Sequence, residues 1–131
     1  MTAKASNWDS VRKVVDTLNL LSDLCRLEAD RWYHEPLTGA KIELNHGERF
    51  ALIHSEITEA FEGVRKDLMD DHLPHRKMVE VELADALIRI FDYAGDNKLD
   101  LGGALIEKLE YNRTRADHTH EARLEPNGKR F

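Results

Sequence analysis

Apolar residues recur at steps of three and four through most of this chain, and four helical segments can be traced from that rhythm alone. Val11, Val14, Val15, Leu18, Leu21 and Cys25 predict a first helix from about Asn7 to Trp32, with Ser6 and Asp9 as its start signal. The stretch YHEPLTGAKIEL then breaks the pattern at Pro36 and Gly39 and reads as a loop. A second helix opens at Asn45, where Glu48 three residues on completes a capping box; its stripe is Ile53, Ile57, Ala60, Phe61, Val64 and Leu68. Pro74 is placed in the first turn of a third helix that ends near Ala94 before Gly95. Asp100 caps a fourth helix running to roughly Arg115.

No segment carries the alternation of a strand. The pattern predicts an all-α protein, a four-helix bundle of the up-and-down type, as one domain over residues 1–131 with 116–131 as a polar tail. Along the third helix, Val79, Leu83, Ala86, Leu87, Ile90 and Phe91 belong to an apolar surface covering well over half of its wheel. A helix of that kind is expected to be central and buried.

Charge narrows the possible partners. With 25 acidic against 19 basic side chains the net charge is −6, so no general attraction to nucleic acid or to an anionic membrane is expected. Only the end of the chain, Lys129 to Phe131, is locally basic. The single cysteine, Cys25, cannot form an internal disulfide and reads as a small core residue in a reducing compartment. No signal peptide or membrane-length apolar run is present, and a cytoplasmic location is expected.

Against this background two acidic pairs are out of place. SEITEAFE puts Glu56 and Glu59 three residues apart, and ELAD does the same for Glu82 and Asp85. Residues three apart lie about 60° apart around a helix axis, so each pair shares a face. The small residues Ala60 and Gly63 beside the first pair leave room for something to approach. The second pair continues through Arg89 and Asp92 as the polar stripe of the mostly apolar helix. Ionised carboxylates crowded there repel one another: two unit charges 4 Å apart interact by about 4 kcal/mol at an effective dielectric of 20. A divalent cation removes that penalty, and an all-oxygen donor set suits Mg²⁺ or Mn²⁺.

Glu-x-x-Glu followed by Glu-x-x-Asp on the next helix resembles the MazG-like branch of the all-α nucleoside triphosphate pyrophosphatases. ALIHSEITEAFEGVRK, VELADALIRIFDYAG, EKLEYNRTRADH and the closing GKRF are similar to small stand-alone members of that group, from about Glu48 to the C-terminus. The resemblance implies a dimer or an assembly of dimers, with the active site among helices two, three and four. It implies Mg²⁺-dependent hydrolysis of a nucleoside triphosphate to the monophosphate and pyrophosphate. By position, Glu56, Glu59, Glu82 and Asp85 would hold the metal, with Glu59 first, then Glu56, as the group that activates the attacking water.

On the fourth helix Lys108, Asn112 and Arg115 fall at i, i+4 and i+7 beside Tyr111, a polar and partly cationic stripe. The family's Lys-x-x-x-Asn-x-x-Arg pattern implies phosphate or sugar contacts there. Trp32 either stacks on the base or closes the core. Arg65 and Lys66 are candidates for phosphate contact, and Arg89 is placed to orient Asp85 or Glu82. The histidines at 54, 72, 75, 118 and 120 do not match the spacing of a closed zinc site. A non-catalytic helical interaction module is the alternative function. A di-iron carboxylate bundle would need Glu-x-x-His pairs, which neither acidic pair supplies.

Overall fold

The computed structural model describes residues 3–130, with side chains from residue 7 onward. It is helical throughout: α1 (Ala3–Glu28), α2 (His46–Arg65), α3 (Met78–Asp96), α4 (Leu101–Thr114) and α5 (His120–Leu124), with 3₁₀ turns at Asp30–Tyr33 and Ala116–His118. Among the described residues the only β pairing is two isolated bridges, His34 with Lys41 and Met69 with Lys77. The chain packs as two compact units, one spanning Leu20–Leu99 and the other combining residues up to Asn19 with those from Asp100 onward.

The first unit is organised on an antiparallel pair, α2 and α3. Asn45 is extended and its side chain accepts from Glu48 N at 3.1 Å, so α2 starts where its cap residue predicts. The small residues of α2 meet α3 directly. Ala60, Gly63 and, from α3, Ala86 are buried, and a Cβ on Gly63 would lie 3.0 Å from Met78 Cβ. The space expected beside the first acidic pair is thus taken up by the neighbouring helix.

Both helices end without glycine in the terminating position. At α2, Leu68 N bonds Gly63 O at 3.0 Å and Asp67 N bonds Val64 O at 3.3 Å, with Asp67 at φ 49°. At α3, Leu99 N bonds Ala94 O at 2.9 Å and Lys98 N bonds Gly95 O at 3.2 Å, with Lys98 at φ 52°. These paired bonds are the Schellman arrangement. Gly95 is therefore not the stop predicted from sequence: α3 runs through it to Asp96. Its missing side chain serves packing, because a Cβ there would overlap the Ser22 carbonyl of α1.

Other boundaries also shift. Pro74 lies in a turn ahead of α3 rather than in its first turn. That turn is fixed by the buried Asp70 carboxylate, which accepts from His72 N at 2.9 Å and Leu73 N at 2.6 Å. α1 reaches back to Ala3, so Asp9 is internal to it, while the Ser6 side chain falls outside the described residues. Its last predicted turn is instead 3₁₀, which swings Tyr33 inward, 2% exposed, and Trp32 outward.

In the second unit Asp100 caps α4 through Gly103 N at 2.9 Å and is itself held by Asn19 Nδ2 at 2.7 Å. Asn19 Oδ1 returns a bond to Gly102 N at 2.9 Å. A Cβ on Gly102 would lie 2.5 Å from the Val15 carbonyl, so this glycine too marks a close backbone approach. Beyond α4 the expected polar tail is partly ordered. Thr119 caps α5 through Ala122 N at 3.2 Å, and Arg123 donates to the carbonyls of Lys129 and Arg130 at 3.3 and 2.9 Å.

Among the described residues the buried apolar ones, Tyr33, Ala60, Ala86, Phe91 and Ala94, are few, and three of them are alanine. Phe50, Ile57, Phe61 and Val64 of α2 remain 48, 47, 63 and 60% exposed, and Leu83 and Leu87 of α3 remain 46 and 52% exposed. Within one chain α3 is therefore not the enclosed central helix its sequence predicts. Lys98 supplies a stability test of its own. Replacing it with glycine removes the left-handed penalty on a side-chain-bearing residue, and urea melts of Lys98→Gly should show a gain of about 1 kcal/mol. Gly95→Ala should instead destabilise by more than that.

Candidate functional site

Glu56 and Glu59 project from α2 and Glu82 from α3 so that one carboxylate oxygen of each lies within 4.8 Å of the others. Among the described residues this is the only His, Cys, Asp and Glu cluster able to hold a metal ion. Glu56 and Glu82 are 7 and 8% exposed, while Glu59 is open to solvent. The close packing of α2 on α3, with Ala60, Gly63 and Ala86 buried, is what brings the two glutamates together. Buried carboxylates with so little compensation carry a desolvation cost.

That cost appears as a perturbed acid. The Glu82 carboxyl is pushed up to about 7, first by burial, then by the charges of Glu59 and Glu56, with a Glu56 hydrogen bond and Asp85 adding to it. At neutral pH the Glu82 carboxyl is thus poised between its protonated and ionised forms. Asp85 is raised by burial and by Glu56, with Asp70 adding and Arg89 and His72 opposing. It is half-buried and lies outside the group of three, so three of the four predicted ligands converge and the fourth flanks them.

Arg89 takes an unexpected partner. It was placed to orient Asp85 or Glu82, but its Nε donates to Glu56 Oε1 at 2.5 Å across the two helices. A buried carboxylate competes better for a guanidinium than a half-solvated neighbour four residues away. This fixes one oxygen of Glu56. The donor set, all carboxylate, half buried and short of positive charge, fits a hard divalent cation such as Mg²⁺ or Mn²⁺. It lacks the nitrogen and sulfur donors that favour zinc.

A turn and more toward the start of α2 is a second polar assembly that pattern reading missed. Arg49, 9% exposed, donates to Asp92 Oδ2 at 2.9 Å, to Asp96 Oδ2 at 3.0 Å and to the Tyr33 hydroxyl at 2.5 Å. The Tyr33 hydroxyl in turn donates to Asp92 Oδ1 at 2.9 Å, and burial together with that carboxylate pushes its pKa well up. Arg26 stacks over the Tyr33 ring at 3.5 Å and bonds Asp96 and Asp30. Two arginines, a tyrosine and three aspartates so tie the end of α1 and its 3₁₀ turn to α2 and α3. The sequence signal was present: Arg49 stands seven residues before Glu56, two turns away on the same face, and an arginine there must find acids.

The remaining predicted residues are dispersed. Arg65 and Lys66 both pair with Glu62 of their own helix, and Arg65 lies over the Phe61 ring. In the other unit Lys108 lies 4.5 Å from the exposed Tyr111 ring. Asn112 Oδ1 is buried there with no hydrogen-bond partner. Arg115 makes a two-armed contact to Asp117, at 2.9 and 2.7 Å, and Lys129 donates to the same Oδ2 at 2.8 Å. Asp117 is held far below the usual carboxylate range by those two cations. Cys25 is half-buried with its thiol pushed up by burial, consistent with an inert packing residue.

Trp32 is 70% exposed, which removes it from the core of this unit. It lines a cavity of about 460 Å³ whose floor is the Arg49–Asp92 pair. No family model, curated protein or solved structure matches this chain.

The Glu82 carboxyl sets a pH dependence. Its folded pKa of about 7 exceeds the ordinary value of 4.5. The folded chain thus keeps a proton that the unfolded chain has already lost, and stability falls as pH rises between those values and levels off above. In metal-free buffer Glu82→Gln should abolish that slope and raise Tm at pH 8 by several degrees, with roughly 3–6 °C expected per kcal/mol. Calorimetric scans from pH 5 to 8 measure it.

Proposed function

We propose that this protein is a Mg²⁺-dependent nucleoside triphosphate pyrophosphohydrolase, releasing the nucleoside monophosphate and pyrophosphate. The observation that carries the reading is the convergence of Glu56, Glu59 and Glu82 at one seam, where a divalent cation would offset the repulsion among three carboxylates. The MazG-like order of acidic blocks names the reaction. Glu56, Glu59 and Glu82 would hold the ion, with Asp85 reaching it directly or through a water.

When bound, the metal neutralises phosphate charge, polarises the phosphorus under attack and lowers the pKa of water. The chain's own groups do the rest. Glu59, the solvent-open member, takes the proton from the attacking water. The water oxygen forms a bond to the α-phosphorus as the bridging bond to the β-phosphate breaks, and pyrophosphate leaves with its electron pair. Glu56 is held still by Arg89 and keeps the site in register. Lys108, Asn112 and Arg115 are assigned phosphate and sugar contacts by the matched spacing, with Tyr111 beside them. Arg115 would exchange its Asp117 carboxylate for a phosphate, an equivalent planar-fork contact.

Self-association belongs to the same proposal. The exposed row of Phe50, Ile57, Phe61 and Val64 on α2, with Leu83 and Leu87 on α3, is the wrong surface to leave in water. Pairing two α2–α3 hairpins through it would complete a four-helix bundle from two copies, enclosing α3 as its composition demands.

Two measurements test this. With Mg²⁺ and a panel of nucleotides, pyrophosphate rather than single phosphate should be released. Glu59→Gln should lower kcat by at least about a hundredfold while the fold is kept. A chain whose Tm ignores both Mg²⁺ and nucleotide would instead be the non-catalytic interaction module. In sedimentation the chain should run as a dimer or larger, and Phe61→Glu should shift it toward monomer.

A further inference from the structure

The cavity beside Trp32 has an unusual charge balance. It is shaped by Trp32 and Leu44 from the loop side, by Glu48 and Leu52 on α2, and by Arg89 and Asp92 on α3. Its volume, about 460 Å³, is within the range of small-ligand sites. Nearly every charge around it is already committed. Arg49 is spread over Tyr33, Asp92 and Asp96, Asp92 uses both oxygens on Tyr33 and Arg49, and Arg89 is given to Glu56. Of the charged side chains lining the cavity, only the exposed Glu48 carboxylate has no partner among the described residues; its backbone N–H donates to Asn45 Oδ1. Trp32 presents an exposed indole that meets no other ring or cation among the described residues.

A flat aromatic face, two leucines and one free carboxylate select a flat ligand that offers N–H donors. They reject a phosphate or carboxylate, which Glu48 would repel. We infer that this cavity is the nucleobase subsite, stacking the base on Trp32 and reading its N–H edge with Glu48. The inference rests on the nucleotide reading above and deepens it.

The position suits that role. Glu48, Leu52, Glu56 and Glu59 follow one another on successive turns of α2, so the Glu48 carboxylate stands about 12 Å along the axis from Glu56. A nucleotide laid along α2 then keeps its uncharged end at Glu48 and its phosphates at the acidic cluster. Base preference follows from donor count. Guanine presents a ring N–H and an amino group side by side, matching the two oxygens of a carboxylate. Adenine and cytosine offer one amino group. Hypoxanthine keeps the ring N–H and lacks the amino group. Uracil's single N–H is flanked by two carbonyls that face the carboxylate unfavourably.

Fluorescence titrations with guanosine, inosine and uridine monophosphates, in a Trp8→Phe background and without metal, test the subsite apart from catalysis. Guanosine monophosphate should quench Trp32 with at least about tenfold lower Kd than the other two, as one additional hydrogen bond to a charged group predicts. Glu48→Gln should erase that advantage while circular dichroism stays unchanged. In parallel, kcat/KM for guanosine over inosine triphosphate should fall by a similar factor in Glu48→Gln. Pyrophosphate release with no guanine preference, or a preference that survives Glu48→Gln, overturns the subsite and leaves the hydrolase standing. Guanine-selective quenching without any hydrolysis keeps the subsite and overturns the hydrolase. Quenching by spermidine but by none of the nucleotides would make the cavity an amine site and overturn the inference.

Discussion

Helices approach closely only where the side chains between them are small, and on α2 and α3 the small side chains stand beside acids. Ala60, Gly63 and Ala86 are buried at the seam, and the short distance they permit carries Glu56 and Glu82 into each other's field. Larger residues there would separate the helices and let each carboxylate reach water. The raised pKa of Glu82, the commitment of Arg89 to Glu56 and the convergence with Glu59 all descend from that contact. Packing, in this chain, is what brings these carboxylates together.

The Arg49 assembly plays a complementary part at the other end of the hairpin. Its three acceptors come from α3 and from the 3₁₀ turn after α1, so a single buried guanidinium fixes three elements. Breaking such a group by removing one partner commonly costs 3–5 kcal/mol, because the charge left behind stays buried. The same bonds turn Tyr33 inward and leave its neighbour Trp32 facing out, which gives the adjoining cavity its aromatic wall. Charge is spent internally around this cavity, so the lone carboxylate of Glu48 dominates what it offers a ligand.

Sequence patterning reached the helices and most of their caps, because Asn45 and Asp100 act through bonds within three residues. It misplaced Gly95 and Pro74, whose roles depend on a neighbouring helix and on a turn organised by Asp70. It brought out the acids of the site, since their spacing is unusual on apolar helices. It did not foresee that Arg89 would cross to Glu56, or that Arg49 would sit between two aspartates, since such choices rest on burial and distance rather than on order along the chain. The apolar excess of α3 was legible; that Leu83 and Leu87 stay about half exposed within one chain was not, because periodicity reports a face and not what covers it.

The raised carboxyl of Glu82 has a consequence for any cation the acidic cluster would take up. A divalent cation binding there near neutral pH would displace the proton from those molecules that carry it and release it to solvent. Occupancy then tracks acidity as well as ion concentration. Acidification would therefore weaken the proposed metal binding, while in the metal-free chain the same group makes the fold more stable rather than less.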